Sequence, residues 1–163
     1  MLWQLPCRFR FLNTEAFLFI SRVLGRILAF DYGTKRVGVA VTDPLRIIAN
    51  GITTIHPKDI IEFLKKYLAE NEVDEVLIGL PKQMDNTASD VERQITHFVN
   101  TIKKNFINLP VSRYDERFTS KMASRTMLDA GLNKKSRQNK ALVDQISATI
   151  ILMDYLEYLQ NKK

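Results

Sequence analysis

Cysteine is almost missing from this sequence: Cys7 is the single one in 163 residues. An internal disulfide is excluded, and so is a zinc site built on thiolates. Histidine is nearly as scarce. His56 and His97 are the only two, too few for an imidazole-built metal centre. Any metal must therefore be held by carboxylates, and oxygen ligands suit magnesium or manganese. No internal repeat, low-complexity tract or second composition class divides the chain, and its length fits one domain with one core.

What is present is an ordinary apolar fraction, 45%, and an excess of positive charge, +6 from 24 basic and 18 acidic residues. The excess is concentrated. Between Arg113 and Lys140 eight basic residues face three acids, a local charge of +5. Such a stretch reads either as a solvated helix face with a basic loop or as a phosphate-binding surface. Residues 1–24 differ from the rest, with Arg8, Arg10 and Arg22 against the single acid Glu15 among several Phe and Leu. The apolar run Ala16–Ile20 is too short to span a bilayer. A poor signal peptide or a membrane-surface helix is open. The favoured expectation is an extension that is flexible or reflects a mis-assigned start, with no membrane partner and a cytoplasmic location. The domain proper is residues 25–163.

From Arg26 the pattern becomes regular. RILAFD (26–31) is a short apolar run ending in an acid, a buried strand. Tyr32, Gly33 and Thr34 make a turn, with Gly33 free to take a positive φ. KRVGVAVT (35–42) puts Val37, Val39 and Val41 on one face of a second strand, antiparallel to the first. GITTI (51–55) is a third. Pro57 opens a helix in which Ile60, Ile61, Phe63, Leu64, Tyr67 and Leu68 recur at helical spacing. EVLIGL (75–80) is a fourth strand. A helix follows with Val91, Ile95, Phe98, Val99 and Ile102 inward, then a fifth strand, LPVSRY (109–114). Thr119 or Ser120 can cap a further helix that Gly131 ends. The last helix, from about Lys140 to Tyr158, is apolar nearly all round and is expected to be largely buried. This order predicts an α/β fold: a five-stranded mixed sheet with helices on both faces.

Three acids fall at informative places. Asp31 ends the first strand, Glu116 lies just past the fifth, and Asp144 sits early in the last helix. Ligands gather at the carboxyl ends of parallel strands in open sheets, so the first two can share a cleft that the helix enters with the third. A strand-end acid is often only a turn residue, and Glu116 can equally join a surface ion pair with Arg117. Asp144 is more demanding. It is flanked by Val143 and an apolar run, and no Lys or Arg is at hand within the helix core. A metal ion is the expected partner. Three such carboxylates suit ions that activate water against a phosphodiester. Gly33 and Gly38 either let backbone approach a phosphate or serve turn and packing. Lys35, Arg36 and Arg117 are candidate phosphate contacts, and the loop of Lys134, Lys135 and Arg137 a candidate grip on the substrate. No aromatic cluster suggests base stacking.

The run DYGTKRVGVA (31–40), GLP (79–81) with MDNT (84–87), DERFTS (115–120), and NK (139–140) with VD (143–144) and ATIIL (148–152) occur in order with compatible spacing. Together they resemble the motifs of the YqgF/RuvX family over about Arg26 to Tyr158. The resemblance implies an RNase H-like fold and a phosphodiester hydrolase whose catalytic and metal-binding acids are Asp31, Glu116 and Asp144. It implies one or two Mg2+ or Mn2+ ions and a structured nucleic acid as substrate. Pre-16S rRNA, trimmed at its 5′ end during ribosome maturation, ranks ahead of a DNA four-way junction. A Holliday junction resolvase and a non-catalytic assembly factor are the alternatives, and the protein is expected as a monomer or weak homodimer. Where related RuvC resolvases carry a second acid one helical turn on, this chain has Ser147, which weakens the resolvase reading.

Overall fold

The computed structural model describes residues 25–80, 88–115 and 139–162. Five strands, β1 (Arg26–Tyr32), β2 (Val37–Thr42), β3 (Ala49–Ile55), β4 (Val73–Leu80) and β5 (Val111–Asp115), form one sheet in the order β3-β2-β1-β4-β5. The hairpin pairs β1–β2 and β2–β3 are antiparallel, while β1–β4 and β4–β5 are parallel. The mixed sheet expected from the sequence is thus observed, with β1 at its centre. Three helices are described: α1 (Ile60–Glu70), entered through a 3-10 turn at Pro57–Asp59, α2 (Ala88–Asn105) and α3 (Lys140–Asn161).

Strand alternation sorts the core into two layers. Leu28, Phe30, Val37, Val39, Val41, Val76 and Ile78 point to one face. They bury Ile60 and Leu64 of α1 and Ile95, Phe98, Val99 and Ile102 of α2. These are the inward helical positions that the 3.6-residue spacing predicts. Ile27, Ala29, Ala40 and Leu77 point to the other face, against Ala148, Ile151, Leu152, Tyr155 and Leu156 of α3. Helices therefore cover both faces.

Helix α3 is less enclosed than its composition suggests. It has the sheet on one side only, so Met153 and Tyr158 remain 56% and 44% exposed. Its start is fixed by Asn139, whose side chain accepts from the N–H groups of Ala141 and Leu142. Thr54 Oγ1 donates to the Ala141 carbonyl at 2.7 Å, tying that first turn to β3. At the other end Tyr155 donates to Glu75 and Tyr114 to Asp154, each at 2.8 Å. Tyr114, Tyr155 and Tyr158 thereby form a ring cluster that sequence spacing does not reveal. Among the described residues no helix is long and apolar enough to cross a membrane.

Candidate active site

The site begins with strand parity. Asp31 shares the facing of Ile27 and Ala29, so its side chain lies on the α3 side of the sheet. Its partner across the hairpin is Gly38. A Cβ on Gly38 would land on the Asp144 carbonyl and come within 3.2 Å of the Gln145 nitrogen. The missing side chain is what lets α3 descend onto β2 at this level. Gly51 on β3 does the same one turn later, where a Cβ would lie 3.2 Å from Thr149 Oγ1 and 3.3 Å from Gln145 Cβ. Of the two roles open to Gly38, packing is the one seen. Gly33 does not take the left-handed φ that is open to it. Its N–H donates to the Arg36 carbonyl at 3.0 Å, and a Cβ would crowd that oxygen at 2.7 Å.

This close approach brings the helix carboxylate to the strand carboxylate. Burial pushes the Asp31 carboxyl up from 3.8 to about 6, and the negative charge of Asp144 adds to the rise. Two acids 113 positions apart in sequence thus sense each other at the end of the central strand. Asp144 is not left without a protein partner, as its helical neighbours had suggested. The hairpin supplies one from 108 residues away: Arg36 Nε donates to Asp144 Oδ2 at 2.6 Å. Within-helix reasoning missed it because the cation comes from the β1–β2 turn. Lys35, next to it, is exposed to solvent.

The parallel strands β1, β4 and β5 end at one edge of the sheet, where Asp31 and Asp115 both lie. Glu116 follows Asp115 directly. Glu116, Arg117, Lys134, Lys135 and Arg137 fall outside the described residues, as does the 81–87 loop. The structure therefore brings together Asp31, Arg36 and Asp144, with Lys35 on the adjoining turn. Among the described residues no group of three or more acids, histidines or cysteines is placed to hold a metal ion. The pair that is present nevertheless fits one. Its donors are hard oxygens, the two carboxylates repel each other, and a guanidinium already stands on Asp144 as a cation would.

The geometry has counterparts. Residues 25–158 match the RuvX family, described as Holliday junction resolvase. A Bacteroides thetaiotaomicron protein named as a candidate pre-16S rRNA nuclease is 57% identical over 134 residues, 82% of this chain and 97% of that protein. A Flavobacterium psychrophilum protein of the same name is 56% identical over 131 residues, 80% and 96% of the two chains. Among solved structures, Thermus thermophilus RuvC in complex with a Holliday junction substrate superposes with a TM-score of 0.52. It does so at 13% identity, over 82% of this chain and 96% of that one. That likeness establishes the RNase H-like fold. With a family match over most of its length and relatives above 50% identity, the chain belongs to the RuvX (YqgF) family.

Proposed function

We propose that this protein is a metal-dependent endonuclease that processes the 5′ end of pre-16S rRNA, with Asp31, Glu116 and Asp144 as its catalytic, metal-binding acids. The observation that carries the reading is the meeting of Asp31 and Asp144 at the carboxyl end of the central strand, on a RuvC-like sheet. The names of the relatives point to the rRNA precursor as substrate.

One or two Mg2+ or Mn2+ ions, when bound, would supply an activated water and offset charge on the phosphodiester. Asp31, on β1 at the centre of the sheet, would hold the metal together with Asp144 and Glu116. Lys35, Arg36, Arg117, Lys134, Lys135 and Arg137 would hold the phosphates flanking the cut, so affinity should fall as salt rises. A single trimming cut needs no symmetric pair of sites, and a monomer or weak homodimer in the cytoplasm suffices. The family description favours the second reading, resolution of a four-way DNA junction.

The deciding experiment sets precursor 16S rRNA and a four-way DNA junction side by side, with Mg2+ and with EDTA. The precursor should be cut only with the metal. Asp31→Asn and Asp144→Asn should each lower cleavage by orders of magnitude while binding survives. A chain beginning at Gly25 should cut as well as the full one, since the family match starts there. Preference for the junction would transfer the assignment to the resolvase reading. Wild-type rates from both Asn variants would remove these acids from the chemistry, and no cleavage of either substrate by the wild type would leave a non-catalytic assembly factor.

A further inference from the structure

We infer that Arg36 is a built-in competitor of the divalent cation: its guanidinium holds the Asp144 carboxylate that the ion would need, and it must be displaced for the site to load. This rests on the reading of Asp144 as a metal ligand. Three observations carry it. The Nε–Oδ2 distance, 2.6 Å, makes this a charge-assisted hydrogen bond to the same carboxylate that a cation would need. The guanidinium comes from the β1–β2 turn, where the Arg36 carbonyl is held by the Gly33 N–H, so its anchor is the hairpin and not α3. The pair is also only partly enclosed, with side chains 40% and 25% exposed. An ion pair of that exposure adds little to folding, so giving it up need not unsettle the fold.

The arrangement has a physical purpose. Without either Arg36 or a metal ion, Asp31 and Asp144 would face each other with only their mutual repulsion. The guanidinium offsets one of the two charges. It also raises the cation concentration at which the site fills, because each ion bound must replace an existing hydrogen bond.

The test is Mn2+ titration of the full chain by calorimetry, with no nucleic acid present. Arg36→Gln should tighten Mn2+ binding about five- to tenfold, the order expected from losing one charge-assisted competitor. Arg36→Lys keeps the charge but not the fork geometry, and should gain less. Lys35→Gln removes an equal charge one residue away and should change affinity less than about twofold by general field alone. The gain from Arg36→Gln should vanish when Asp144→Asn is also present, as a shared-partner cycle requires. Equal gains from Lys35→Gln and Arg36→Gln would overturn the inference in favour of a general charge effect. Unchanged or weaker binding by Arg36→Gln, with Asp144→Asn still weakening it, would overturn it too and make Arg36 a positioning residue. If Asp144→Asn leaves Mn2+ affinity unaltered in both backgrounds, Asp144 is no ligand, and the site assignment falls together with the inference.

Discussion

The two faces of the sheet are built from different materials. The face under α1 and α2 is packed with Leu28, Phe30, Val39, Ile78, Ile95 and Phe98, all branched or aromatic, with the half-buried Tyr32 and Tyr67 at its margin. The face under α3 uses Ala29, Ala40, Gly38 and Gly51, and at one end it holds Asp31 and Asp144. Large side chains stand between the sheet and α1 and α2 and bury much apolar area. Small ones let α3 come down far enough to deliver a carboxylate to the strand. The first face is built for stability. The second gives up some burial to hold like charges together.

The comparison breaks most visibly at Phe98. Its ring meets Phe30 edge-on at 5.8 Å and stacks on Tyr32 at 5.2 Å. Phe98→Ala removes a ring from the stabilising face and should cost about 3–5 kcal/mol of unfolding free energy. In a chain of this length that lowers Tm by roughly 10 °C or more. Cleavage per folded molecule at a permissive temperature should stay within about twofold, because the ring packs on Phe30 and Tyr32 from the face of β1 opposite the Asp31 side chain. A loss of cleavage larger than the loss of folded protein would show that the two faces are not separable.

Asp31 sharpens the contrast from the other side, since replacing it should stabilise. Its carboxyl has a folded pKa of about 6 against 3.8 in the free residue, with burial as the main cause and Asp144 second. Between those values the folded protein holds more protons than the unfolded one, so stability falls as pH rises through about 4 to 6 and levels off above. Asparagine imitates the protonated acid. Asp31→Asn should therefore match the wild type near pH 4 and exceed it at pH 7 by on the order of 3 kcal/mol. Denaturant titrations in EDTA at the two pH values measure this. An equal difference at both would mean that Asp31 is not held against its charge.

How much of this could be read from residue order depends on the range of the interaction. The strand runs, the inward faces of α1 and of α2 from Ile95 on, and the antiparallel first hairpin follow from local periodicity, and the strand bounds lie within about two residues of where the pattern puts them. Asp31 and Asp144 could be singled out because each is an acid at the edge of an apolar run. The Arg36–Asp144 pair could not, since nothing local links a hairpin turn to a helix 108 residues on. Nor could Arg46, a non-glycine residue at φ 56°. Its conformation is imposed by Asp43, whose carboxylate accepts from Leu45, Ile47 and Ile48. The Arg46 guanidinium is held as well, by Asp74 and the Gly25 carbonyl. The exposure of α3 is not legible in the sequence for a related reason. Composition reports how apolar a helix is, not how many sides of it meet a partner.

Gly38 offers the finest test, since one methyl group separates the two designs. Gly38 pairs with Asp31 and lies beneath the backbone of Asp144, so it is the spacer that sets the distance between strand and helix. In Gly38→Ala the new Cβ meets a carbonyl, not the movable end of a side chain. Relief has to come from the helix shifting as a unit. Overpacking of this kind costs typically about 1–3 kcal/mol. The same shift carries the Asp144 carboxylate away from Asp31, and tolerances at reacting centres are well under 1 Å, so cleavage should fall about a hundredfold even where the variant is fully folded. Val39→Ala, one residue along β2 but facing α1 and α2, is the matched control. It should lose a comparable amount of stability and keep its cleavage. If Gly38→Ala instead cuts at the wild-type rate per folded molecule, then the close seating of α3 on β2 is packing alone, and the distance it sets is not what the chemistry requires.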